Sequence, residues 1–96
     1  MDRARFLSFS EADRLGHVAA EVSRFRIFTE RQQDKLAEGA RQRALELARI
    51  ARESADPAAE KLLKELEDVM AAPVSAVKDL EKIEQALLAR KLSEIS

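Results

Sequence analysis

The chain has no cysteine, tryptophan, tyrosine or asparagine, and only two glycines and two prolines among its 96 residues. Without cysteine it can form no disulfide, no thiolate metal site and no cysteine nucleophile. Two isolated glycines are too few for a glycine-rich loop that binds phosphate. β-branched and aromatic residues, which strands favour, are scarce, so the sequence argues against a sheet protein.

Long apolar runs are also absent. The longest segment without a charge, 69–77, contains Pro73 and is far shorter than the roughly 20 apolar residues of a membrane-spanning helix. The first residues lead into no apolar run of the kind that a signal peptide contains. We therefore expect no association with a membrane, and a cytoplasmic location.

The chain is rich in helix-forming residues. It has 17 alanines, and 46% of its residues are hydrophobic and 36% charged, a composition too apolar for a disordered chain. Because alanine is the best helix former and glycine and proline the worst, we predict an all-α protein with one domain, residues 1–96. Abundant Glu, Arg and Lys would suit a thermophile, although a GC-rich genome would produce the same alanine and arginine bias.

Residues 8–53 carry the pattern of one long amphipathic helix. Ser8 and Glu11 have the capping-box spacing at its start, and Ser10 with Asp13 is an overlapping alternative. Nine apolar residues then recur every three or four positions within a sector of about 100°: Leu15, Val18, Val22, Phe25, Leu36, Ala40, Ala44, Leu47 and Ala51.

The middle of this predicted helix is its weakest part. This stretch is polar, with Thr29, Gln32 and Gln33 in place of apolar residues. It forms either a polar layer that fixes the register of the packed helices or a loosely packed stretch. Gly39 costs about 1 kcal/mol relative to alanine inside a helix. We predict that the helix nevertheless continues through Thr29–Gly39.

Two further helical segments follow. Asp56 can cap a new helix and Pro57 suits its first turn, which predicts a second helix over 57–72. Pro73 either kinks that helix or opens a third over 73–95.

We predict that the two halves form an antiparallel helical hairpin that reverses at 54–56 and is bent or broken at Pro73. The apolar residues of 73–95 cover about half of the helix circumference, which is more than one neighbouring helix covers. We therefore expect two hairpins to pair into a dimeric four-helix bundle. The alternative is a three-helix bundle monomer, in which the chain folds back again at Pro73.

Apolar residues outside the main stripe, together with those of the wide last segment, form a candidate interaction surface for a second copy or a protein partner. The alternative is that Phe28 closes the edge of the core and that Ile27 and Leu45 are exposed singly. The candidate residues are Phe6, Phe9, Ile27, Phe28, Leu45, Leu80, Ile83, Leu87, Leu88 and Leu92.

His17 is the only histidine, and it projects onto the polar face of the predicted helix. Phosphate transfer through an exposed helical histidine is one hypothesis, but Asp13 and Glu21, four residues to either side, would repel a phosphoryl group. The same three residues could bind a divalent metal only as an exposed, adventitious site. We therefore expect His17 to be a solvated surface residue, and we predict no catalytic residue, metal or cofactor.

Four basic residues, Arg24, Arg31, Lys35 and Arg49, project onto one side of the predicted helix, which raises the hypothesis of nucleic-acid binding. Acidic residues share that side at ion-pair spacing, so we expect a solvated face and no nucleic-acid binding.

The function that we predict is a non-enzymatic helical module for protein–protein interaction or assembly, which self-associates as a homodimer. The first alternative is a nucleic-acid-associated protein that uses the Arg-rich first arm. The second is a phosphotransfer domain that uses His17.

Overall fold

The computed structural model describes the backbone of residues 3–71 and 77–95 and the side chains of 3–71 and 80–92. These residues form five α-helices and no strand, which confirms the predicted all-α class. The helices are α1 (Arg3–Leu7), α2 (Glu11–Glu30), α3 (Asp34–Arg52), α4 (Pro57–Ala71) and α5 (Val77–Ile95). The predicted kink or break at Pro73 lies outside the described residues.

The four longer helices pack side by side in a ring. α2 packs against α3 and α5, and α4 packs against the other side of the same two helices. Neighbouring helices are antiparallel, as Arg26 with Glu84 shows for α2 and α5, and Arg41 with the Met70 carbonyl for α3 and α4. The result measures 35 × 26 × 21 Å, and its long dimension matches about 20 residues of helix.

The core lies along the axis of this ring. Its largest fully buried side chains come from α1, α2, α4 and α5, and each stabilises the fold by about 1.5–3 kcal/mol relative to exposure. α3 contributes mainly alanines, including Ala40, Ala44 and Ala48, which let the larger side chains of its neighbours approach closely. The largest fully buried residues are Phe6, Leu15, Val18, Val22, Leu63, Leu66 and Leu87.

The predicted continuous helix over 8–53 is wrong, because the chain reverses at 31–33. α2 ends in a Schellman motif, in which the Gln33 N–H donates to the Phe28 carbonyl at 2.8 Å and the Gln32 N–H donates to the Thr29 carbonyl at 3.1 Å. Gln32 takes the left-handed conformation that the motif requires, with φ of 59°. The polar stretch that we took for part of a helix is therefore a turn.

The reversal has a clear physical reason. One unbroken helix over 8–53 would expose its apolar stripe along about 65 Å, whereas folding α3 back onto α2 buries the two halves of the stripe against each other. The burial of apolar surface at about 25 cal/mol per Å² outweighs the few hydrogen bonds lost at the turn.

Side chains cap α2 and α4 at their starts. Ser10 accepts a hydrogen bond from the Asp13 N–H at 3.2 Å, so α2 begins with the alternative cap and not with the Ser8 capping box. Asp56 accepts from the Ala59 N–H at 2.8 Å, and α4 begins at Pro57. Each such cap stabilises its helix by about 1 kcal/mol.

We predict that Gln32→Gly stabilises the protein by about 0.5–1 kcal/mol. A left-handed residue with a side chain costs about 1–2 kcal/mol, and glycine relieves most of this at a smaller entropic cost. Denaturant unfolding measures the change. Gln33→Gly is the matched control, since Gln33 has φ of −95°. Glycine there relieves no strain and only increases the conformational entropy of the unfolded chain, so it should destabilise the protein. A stabilised Gln33→Gly, or a destabilised Gln32→Gly, would contradict the turn.

Candidate functional site

The predicted interaction surface does not lie on one face of the molecule. Phe6, Leu80, Ile83 and Leu87 are buried in the core of the chain itself, so their assignment to an exposed surface is corrected. Leu80, Ile83 and Leu87 are covered because α5 packs against both α2 and α4. One edge of the wide apolar face of the last segment is thus covered within the chain, whereas Leu88 and Leu92 on its other edge stay exposed.

The other predicted residues lie at or near the surface. Phe9, Phe28 and Leu45 are partly buried and pack against the core, which agrees with the alternative that Phe28 closes its edge. The exposed large apolar side chains among the described residues are Ile27 (40% exposed), Leu36 (51%), Leu88 (41%) and Leu92 (64%). Leu36 was predicted to belong to the core stripe, so the structure corrects that assignment.

His17 is half-buried and packs against aromatic rings, so the expectation of a solvated residue is wrong. Its imidazole stacks on the Phe9 ring with centroids 5.0 Å apart, and it meets the edge of Phe6 at 6.3 Å. Phe6 is held by α1, which covers this end of the bundle. Arg14 fixes the connection between α1 and α2 by donating to the carbonyls of Leu7 and Phe9.

An ion pair also holds α1 on the bundle. The Arg3 guanidinium donates a hydrogen bond to the Glu53 carboxylate at the end of α3. This hydrogen bond lowers the pKa of the Glu53 carboxyl below its ordinary value. Because both side chains are exposed, the pair contributes little to stability in water, and the buried Phe6 is the stronger attachment of α1.

His17 also lines an open groove of about 220 Å³ between α2 and α3, together with Glu21, Arg43, Glu46 and Leu47. Glu21 is buried and accepts from Arg24 at 2.5 Å and from Arg43 at 2.9 Å. Both of its oxygens are therefore occupied by guanidinium groups of its own chain. Such a carboxylate is a structural ion pair and is not a free base beside His17.

No metal site is formed in the part of the chain that the structure describes. No group of three or more histidine, cysteine, aspartate or glutamate side chains there is close enough to bind a metal ion. Asp13, His17 and Glu21 share a helix, but Glu21 turns towards Arg24 and Arg43.

The basic residues proposed for nucleic-acid binding are divided between two helices. Arg24 lies on α2 and pairs with Glu21, whereas Arg49 lies on α3, where its Nε is 3.5 Å from Glu67 of α4. The reversal at 31–33 thus separates a row that looked continuous in the sequence. A continuous track of unpaired cations, which phosphate binding requires, does not form from these two arginines.

Ion pairs between different helices are the charged contacts that the sequence did not reveal. Glu84 of α5 is buried and pairs with Arg26 of α2, 58 positions away. Glu67 of α4 pairs with Arg52 of α3, and Arg90 of α5 pairs with the capping Asp56. These pairs join distant segments, so no local spacing in the sequence predicts them.

A second open groove, of about 380 Å³, lies between α4 and α5. It is lined by Glu65, Asp68, Val69, Lys82 and Ile83. Its charged groups are two carboxylates and one ammonium group, and its apolar part is formed by two aliphatic side chains.

Comparison with protein-family models, with curated proteins and with solved structures gives no match for this chain. None of the described helices is both long and apolar enough to cross a membrane.

We predict that His17→Ala destabilises the protein by about 1 kcal/mol, because it removes the stacking on Phe9 and the contact with Phe6. His17→Phe is the control, since it keeps an aromatic ring and removes every acid–base and phosphoryl-accepting property. Thermal unfolding should show wild-type stability for His17→Phe. Unchanged stability of His17→Ala, or phosphate covalently bound to His17 in the native protein, would contradict the structural role.

A second prediction concerns the ion pair between α2 and α5. Glu84→Ala should cost about 2–3 kcal/mol, because it leaves the Arg26 guanidinium, whose side chain is only 20% exposed, buried without a partner. The matched control is Glu53→Ala, which removes a carboxylate that is half exposed and should change the unfolding free energy little. Equal effects of the two substitutions in denaturant unfolding would contradict this assignment.

Proposed function

We propose that the chain is a non-enzymatic helical interaction module that self-associates and presents helical faces to protein partners. The observation that carries this proposal is the exposure of Leu88 and Leu92, which lie one turn apart on α5 and are 41% and 64% exposed on a chain whose core is closed without them. Large exposed apolar side chains that the fold does not need are typical of interaction surfaces when they lie together.

The proposed dimer differs from the one predicted from the sequence, in which two helical hairpins pair into one four-helix bundle. Four helices of one chain already surround the core, so a dimer would join two such units through their outer surfaces. Twofold symmetry is the usual arrangement for such a pair.

The structure gives less support to the two alternative functions. The guanidinium groups of Arg24, Arg26 and Arg49 lie beside carboxylates of the same chain, which reduces the charge available for nucleic acid. The His17 ring packs against Phe9 and Phe6, a contact that accounts for this residue without phosphotransfer.

We predict that the protein is a dimer in solution. Sedimentation equilibrium at micromolar concentration should give about twice the chain mass of 10.8 kDa. Because apolar contacts are not screened by ions, the mass should be the same at low and high salt. A monomer at all concentrations, with no bound partner, would contradict the proposal, and dissociation by salt would indicate an ionic interface instead.

A further inference from the structure

α1 is attached to the bundle through few side chains. It has five residues and one buried side chain, Phe6, whereas α4 has fifteen residues and four buried side chains. A helix of five residues is unstable by itself, so α1 stays ordered only while it is docked. Elements with so little buried surface open locally while the rest of a protein remains folded.

The ion pair of α1 adds little to this attachment. The Arg3 and Glu53 side chains that form it are half exposed or more, and exposed ion pairs contribute little to stability in water. The docking of α1 therefore depends mainly on the burial of Phe6.

The ring of four longer helices is complete without α1. α2 and α4 each pack against both α3 and α5, and every buried core residue in the described part of the chain other than Phe6 lies on these four helices. Departure of α1 would uncover one end of the core but would separate no two helices of the ring. α1 thus has the position of a cover.

α1 covers one end of the surface between α2 and α3. It lies against α3, and the Phe6 ring meets the edge of the His17 ring on α2, with centroids 6.3 Å apart. His17 also lines the open groove of about 220 Å³ between the same two helices. The covered site and the open groove therefore share His17, and departure of α1 would extend the groove by the space that Phe6 fills.

The contacts of α1 define what a partner must present in order to replace it. Phe6 supplies an aromatic ring beside His17, and Arg3, one turn earlier, supplies a guanidinium group to Glu53. Residues three positions apart lie on one side of a helix, so a partner helix with an arginine three positions before a phenylalanine would make the same two contacts.

We propose that α1 is a detachable cover, and that the site beneath it binds a short helix of a partner protein with the pattern Arg-x-x-Phe. In the closed state α1 occupies the site itself, so a partner must compete with it. This inference is separate from self-association through α5, because it concerns the surface between α2 and α3.

The full chain with Phe6→Ala tests the cover, with a synthetic peptide of residues 1–10 as the probe. The variant should remain helical by circular dichroism. It should bind the peptide with a Kd of about 0.1–1 mM, because a short linker gives the tethered α1 a millimolar effective concentration. The wild type should bind the peptide at least about 10-fold more weakly, because its own α1 occupies the site. The ring protons of His17, the only histidine, report binding by NMR.

Two altered peptides are the matched controls. The peptide with Arg5→Ala should bind as well as the unaltered one, because Arg5 is exposed, whereas the peptide with Phe6→Ala should not bind. Unfolding of the Phe6→Ala chain would overturn the proposal, since α1 would then belong to the cooperative fold. Equal binding of the peptide to wild type and variant would overturn it as well. A wild-type dimer that Phe6→Ala dissociates would assign the site to α1 of a second copy instead.

Amide hydrogen exchange of the wild type provides an independent test. The Ser8 and Phe9 amides donate to the carbonyls of Ala4 and Phe6, so they are protected while α1 is docked. They should exchange about 100-fold faster than the amide of Val22 in the middle of α2, because α1 opens without the ring. Exchange of all three amides at one rate would show that α1 opens only with the whole protein, which would contradict the proposal.

Discussion

The reversal of the chain at 31–33 determines how every other helix packs. Gln32 in the left-handed conformation ends α2 and lets α3 return along it, so that the two halves of one apolar stripe bury each other. α4 and α5 then complete a ring around the shared core. Because the ring closes within one chain, α5 gains two neighbours that bury Leu80, Ile83 and Leu87, whereas Leu88 and Leu92 stay exposed.

Ion pairs complete the packing where helices meet. Glu21 between α2 and α3, and Glu84 between α5 and α2, are buried and bound to arginines, while Glu67 joins α4 to α3. A buried carboxylate without its guanidinium would be strongly destabilising, so these pairs favour one arrangement of the helices over slipped alternatives. They also reduce the free positive charge of the surface. Arginines that the sequence suggested for nucleic-acid binding are bound to carboxylates of neighbouring helices.

Composition and capping residues were sufficient to predict the helical class and the start of α4 at Pro57, because these depend on local chemistry. The reversal was not predictable from local chemistry, since the left-handed position is occupied by Gln32 and not by the usual glycine. That error also misplaced Leu36. Leu36 was assigned to the core because its direction around the helix axis was calculated as if α2 continued to it. α3 is a separate helix with its own orientation, so that calculation does not apply. His17 was assigned to solvent because nothing in the helical projection indicated that Phe6 and Phe9 would fold over it.

The exposed leucines are the part of the candidate site on which the functional account depends. Leu88 and Leu92 border the contact between α2 and α5, whereas Leu36 lies on α3. Protection of the methyl groups of Leu88 and Leu92 alone therefore distinguishes a defined interface from nonspecific hydrophobic association. Methyl NMR with a soluble paramagnetic agent, at concentrations below and above dimer formation, measures that protection directly. We expect Leu88 and Leu92 to become protected as concentration rises while Leu36 stays accessible. Protection of Leu36 alone, or equal accessibility of all three leucines at every concentration, would contradict the account.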